Sequence, residues 1–144
     1  MGLDMYLTKG KGEQSEEVGY WRKANAIHNF FVNAVQNGVD DQEAYLVPRD
    51  VFEMLLEKCD KLLELAKAEG YDPEGDNTVD FQASDHLAKV CQDTLPTQGG
   101  FFFGSTDYDG WYFNDLTYTS KLIRRLFDKW PEDEPSEYYY SCWW

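Results

Sequence analysis

Basic residues are scarce in this 144-residue chain: 13 Lys and Arg stand against 27 Asp and Glu, a formal net charge of −14. That imbalance disfavours long-range attraction to DNA, RNA or an anionic membrane, so no direct nucleic-acid or membrane partner is expected. No apolar run approaches the ~18 residues of a membrane-spanning helix. The opening Met-Gly-Leu-Asp has neither the basic nor the apolar segment of a secretory leader. Cysteine is limited to Cys59, Cys91 and Cys142, with no CxxC pair, and histidine to His28 and His86. Scattered thiols in odd number point to free cysteines and a cytoplasmic location. A zinc site would need ligands gathered from all over the chain, so neither metal nor cofactor is expected. The glycines around Phe101–Phe103 match neither GxGxxG nor a P-loop, and no Ser or Cys nucleophile stands at a recognisable spacing from a histidine.

What is present is a hydrophobic content of 42%, with 17% aromatic residues, enough for one domain with its own core. Leu3, Met5 and Leu7 alternate with Asp4, Tyr6 and Thr8 as in a half-buried strand, and Val18 to Trp21 suits a second strand after a polar, glycine-bearing loop. Arg22 to Asn37 changes period, with Ala24, Ile27, Phe31, Ala34 and Val35 on one helical stripe and Asn37-Gly38 as a stop. Ala44 to Val47 is short and β-favouring. Pro48 to Glu69 carries a wide apolar stripe through Leu55 and Leu62 up to Gly70.

Ser84 can cap a short helix burying Leu87, Val90 and Cys91. Asp107-Tyr108-Asp109-Gly110 predicts a hairpin turn between Phe101–Phe103 and Trp111–Phe113. Asn114 or Asp115 would then cap a last helix ending at Trp130 before Pro131. The pattern predicts an α+β fold, a small antiparallel or mixed sheet packed with three main helices, whose core joins Phe31, Leu55, Leu62, Leu122 and Leu126 to Leu3 and Met5. We divide the chain into a single domain over 1–130 and an acidic, aromatic C-terminal tail over 131–144. An exposed YYYSCWW end would be adhesive, so the tail either docks on its own domain, which is the favoured expectation, or engages a partner.

Ala24 to Val39 contains no charged side chain in a chain that is 28% charged. Asn25, Asn29, Asn33 and Gln36 oppose the apolar stripe, and amides beside His28 suit a partly buried binding surface where an unpaired ion would be costly. Arg22 and Lys23 precede this helix at the end where cations oppose the macrodipole, so an anion should offset them: Glu16 or Glu17 across the hairpin, or a ligand or partner. Arg22, Lys23, Asn25, His28 and Asn29 are therefore the candidate ligand- or partner-binding residues. No residue is assigned as catalytic, and a binding role is favoured over an enzymatic one. Asp72, Glu74, Asp76 and Asp80 form a candidate acidic surface; their spacing lacks the bidentate Glu that would close a calcium loop.

The strings GLDMYL, EVGYWRKANAIHNFF, NGVDD and LPTQGGFFFGSTDYD resemble a family of small acidic phage- and prophage-encoded proteins of unestablished function. The likeness covers about residues 1–128 and leaves out the aromatic tail. It implies a viral setting and the host cell cytoplasm, in which a small acidic protein acts as an anti-defence factor, for example anti-CRISPR or anti-restriction, by binding a host protein with a basic surface. The alternative is a pocket protein that binds or cleaves a small phosphorylated or nucleotide ligand, a small anionic partner, at the N-terminus of the first helix.

Overall fold

The computed structural model describes residues 2–10, 12–75, 78–100, 103–130 and 137–144. Four strands, β1 (Asp4–Lys9), β2 (Glu16–Arg22), β3 (Tyr45–Val47) and β4 (Tyr138–Trp143), form one antiparallel sheet in the order β2-β1-β4-β3. Four helices accompany it: α1 (Asn25–Val35), α2 (Arg49–Ala68), α3 (Asp85–Thr94) and α4 (Gly110–Asp128). The fold is α+β, as the hydrophobic patterning predicts. Among the described residues no helix is long and apolar enough to cross a membrane.

The alternation in β1 sorts side chains between the two faces of the sheet: Met5 and Leu7 are fully buried, whereas Asp4, Tyr6 and Thr8 face the more open side. All seven residues expected in the core belong to one buried cluster. Gly19 shows how closely helix and sheet approach, since a Cβ there would lie 2.6 Å from Leu122 of α4. The aromatic end of the chain does dock on its own domain, and it does so as an interior strand. β4 lies between β1 and β3, with Tyr138, Tyr140 and Cys142 buried and Trp143 exposed on the other face. Residues 131–136, which include Pro131 and the acidic Glu132, Asp133 and Glu134, lie outside the described residues.

One expected element is wrong. Trp111–Phe113 is not a hairpin strand but the first turn of α4, which begins five residues earlier than Asp115. The Asp109 side chain accepts from Tyr112 N at 3.2 Å, so Asp-Gly acts here as an N-cap and not as a two-residue turn. Gly110 is required for a different reason than a positive φ: a Cβ would lie 1.7 Å from the Thr78 carbonyl oxygen, because α4 starts against the short 3₁₀ turn Thr78–Asp80. Phe101 and Phe102, the other half of that hairpin, lie outside the described residues. The helix expected from Ser84 is present, with the Ser84 hydroxyl accepting from Leu87 N at 3.1 Å.

Candidate functional site

A cleft of about 450 Å³ opens between the N-terminus of α1 and the N-terminal half of α4. Its floor is apolar, from Ala24, Ala26, Ile27, Tyr112 and Leu116, and its rim is charged. Arg22 and Lys23 line it from the end of β2 and the turn before α1; Asp107, Asp109 and Asp115 line it from the loop before α4 and from α4 itself, with the indole of Trp111, which is 64% exposed.

The α1 end of the cleft is built without a side-chain cap: Ala24 occupies the cap position and bonds nothing through its side chain. Ala26 and Ile27, whose N–H groups precede the first intrahelical donor, His28 N, both line the cleft. Lys23 reaches this position in a left-handed conformation, φ 55°, and its stem passes Gly104, where a Cβ would come within 3.2 Å of it. Among the described residues Lys23 makes no ion pair. Arg22 does, but with Asp4 at 3.0 Å and not with Glu16 or Glu17. The register sets Asp4 directly opposite Arg22 across β1 and β2, and Tyr20 donates to the same carboxylate oxygen at 2.5 Å. The Tyr20 bond, and then the Arg22 charge, hold Asp4 below the usual carboxylate range.

Asn25 holds the cleft together. Its amide nitrogen donates to the carbonyls of Phe103 at 2.9 Å and Ser105 at 2.8 Å, and its oxygen accepts from Gln98 N at 3.0 Å. One buried side chain thereby ties the first turn of α1 to the 97–105 loop, using its donors and acceptor together. Thr97 and Tyr108 bond each other across the same loop, and the Tyr112 hydroxyl donates to Leu95 O at 2.8 Å. The segments Trp21–Asn25 and Gly104–Asp109 both contribute residues to this cleft.

Asp115 lines the same cleft from α4. Its carboxylate makes no hydrogen bond or ion pair among the described residues. Burial, and then the charge of Asp109, push it up to about 7. At neutral pH such a group can donate a hydrogen bond to a ligand oxygen or accept a proton from one. In the sequence Asp115 reads as a helix cap, and nothing local marks it as part of a site.

The remaining expected residues go elsewhere. His28 does not line the cleft and is fully buried, with Nδ1 2.5 Å from the Tyr140 hydroxyl and Nε2 3.0 Å from Asp40 Oδ1. Cys142 lies beside them and donates to Asp41 O at 3.3 Å; burial, and then Asp40 and Asp41, push its thiol up to about 12. One ring nitrogen of His28, a carboxylate oxygen of Asp40 and Sγ of Cys142 lie within 4.8 Å of one another, so the fold gathers a dispersed metal-ligand set of the kind that sequence spacing argues against. Asn29 bonds Pro96 O at 3.3 Å and accepts from Asn33, on a separate, shallow groove. Asp72, Glu74 and Asp80 are exposed, Glu74 pairing with Lys121 at 3.4 Å, and Asp76 lies outside the described residues.

No protein-family model matches the chain, and neither a curated protein nor a solved structure matches it significantly.

Proposed function

We propose that the chain is a binding protein whose cleft between α1 and α4 takes a small phosphorylated, nucleotide-like ligand. The observation that carries this reading is the division of charge across the cleft. Arg22, Lys23 and a helix N-terminus without a side-chain cap line it from the β2–α1 segment, and three carboxyl groups beside an exposed indole line it from α4 and the loop before it. A phosphate suits the first segment, where free backbone N–H groups and cations act on the same oxygens. A planar base suits Trp111, and its amino groups or a sugar hydroxyl suit Asp107 and Asp115 as acceptors. The test is a thermal-shift panel of inorganic phosphate, ribose 5-phosphate and nucleoside monophosphates, run beside native mass spectrometry of the purified chain. A ligand at 100 times its dissociation constant should add about 2.7 kcal/mol of stability. Equal melting temperatures across the panel, with no retained mass, would contradict the reading.

The net charge favours a second reading, the capture of a basic host protein by an acidic surface. Exposed Asp72, Glu74 and Asp80 supply that surface, and the resemblance to phage-encoded proteins supports an anti-defence setting for it. Pull-down from a bacterial lysate at low and high salt separates the two: a stoichiometric protein released by salt favours the acidic surface.

A further inference from the structure

We propose that His28, Asp40 and Cys142 form a binding site for a zinc-type divalent ion, outside the cleft. The three donors come from three separate elements: α1, the loop before β3, and the sheet-centre strand β4. Folding brings one imidazole nitrogen, one carboxylate oxygen and one sulfur within 4.8 Å of one another. Around tetrahedral zinc, ligand bonds of ~2.0 to 2.3 Å hold donor atoms about 3.3 to 3.8 Å apart. The His28–Asp40 edge is already at 3.0 Å, so closing the set needs a shift of roughly an ångström along the widest edge.

The donor chemistry selects the ion. Magnesium and calcium take oxygen ligands, whereas nitrogen and sulfur together suit zinc and its neighbours in the first transition row. The ring is also held as a metal-binding imidazole is held. Tyr140 stands 2.5 Å from Nδ1 and Phe103 packs edge-on against the ring, which fixes Nε2 toward Asp40. His28 and Cys142 are buried and the Asp40 side chain is 23% exposed, so Asp40 is the edge by which an ion reaches the site. On binding, the Cys142 thiol releases its proton to solvent. The imidazole carries its remaining proton on Nδ1, donating to the Tyr140 oxygen. Three protein donors leave the fourth tetrahedral position for water.

The site is tested with cobalt as a spectroscopic substitute, on the full chain freed of metal by a chelator. One equivalent of Co²⁺ should produce the visible bands of tetrahedral cobalt and a thiolate-to-cobalt charge-transfer band in the near ultraviolet, and zinc should displace both. Cys142→Ser, nearly the same size, should fold by circular dichroism, lose the charge-transfer band and lose the rise in melting temperature that zinc gives the parent chain. Asp40→Asn, at the open edge, should weaken zinc binding by about 10-fold or more. Absence of cobalt bands in the folded parent chain would overturn the proposal. So would an unchanged charge-transfer band in Cys142→Ser, which would place the thiolate at Cys59 or Cys91.

Discussion

Asn25 donates to the carbonyl oxygen of Ser105 at 2.8 Å, closing a loop of 80 residues with a single buried amide. The same side chain bonds Phe103 and Gln98, so the α1 end of the cleft and the loop that forms its far wall are positioned by one residue. Removing that amide strands two carbonyl oxygens and one N–H in a partly buried place. Asn25→Ala should cost about 2 to 4 kcal/mol. Asn25→Asp should cost more, because a carboxylate would face two carbonyl oxygens. Urea denaturation measures both; equal, small losses would show that the loop holds its place without Asn25.

Gly110 sets where α4 begins. A Cβ at that position would overlap the Thr78 carbonyl, and backbone does not yield as a flexible side chain does. Gly110→Ala should destabilise by about 3 kcal/mol or more. A loss under about 1 kcal/mol would show that the 78–80 turn can move away from the helix at little cost.

Asp115 gives the cleft a dependence on pH whose sign is set by burial. Its carboxyl is raised from 3.8 to about 7, so between those values the folded chain holds a proton that the unfolded chain has released. The stability this group contributes is complete below about pH 4 and is lost as pH rises toward 7. Asp115→Asn cannot ionise. Its stability relative to the parent chain should grow from pH 4 to pH 7 and reach about 1 to 3 kcal/mol at pH 8, after allowance for the partial exposure of the group. Chemical denaturation at several pH values reads this difference; a pH-independent difference would contradict it.

The parts of the fold legible in the sequence are those whose signal is local. Leu3, Met5 and Leu7 show period two, Phe31 and Leu55 to Leu62 show a helical stripe, and Ser84 caps the start of α3, because each pattern depends only on near neighbours. The Asp109-Gly110 pair is ambiguous in sequence because the same two residues suit a hairpin turn and a helix start, and only contact with Thr78 decides between them. β4 illustrates the non-local case. Tyr138, Tyr140 and Cys142 do alternate inward, yet their partners on β1 (Lys9, Leu7 and Met5) lie nearly the whole chain upstream, too distant for any window to pair them.

The site divides in the same way. Arg22, Lys23 and Asn25 stand out by the lack of charge beyond them, while Asp115 becomes visible only when α4 packs across from α1. His28 is unusual in sequence, yet periodicity alone does not tell which side of α1 it serves. Its partners Asp40, Tyr140 and Cys142 are spread over the chain.

Arg22 and its cleft are tested most directly by a nitrogen-15 NMR titration with a nucleoside monophosphate, comparing the parent chain with Arg22→Ala. The Arg22 side chain is 52% exposed and its ion pair with Asp4 is worth about 0 to 1 kcal/mol, so the variant should keep its melting temperature. Saturable shifts at the amides of Lys23 to Ile27 and Ser105 to Trp111, lost in Arg22→Ala, are the predicted result. Saturable shifts confined to other parts of the chain, or shifts that persist unchanged in Arg22→Ala, would contradict it.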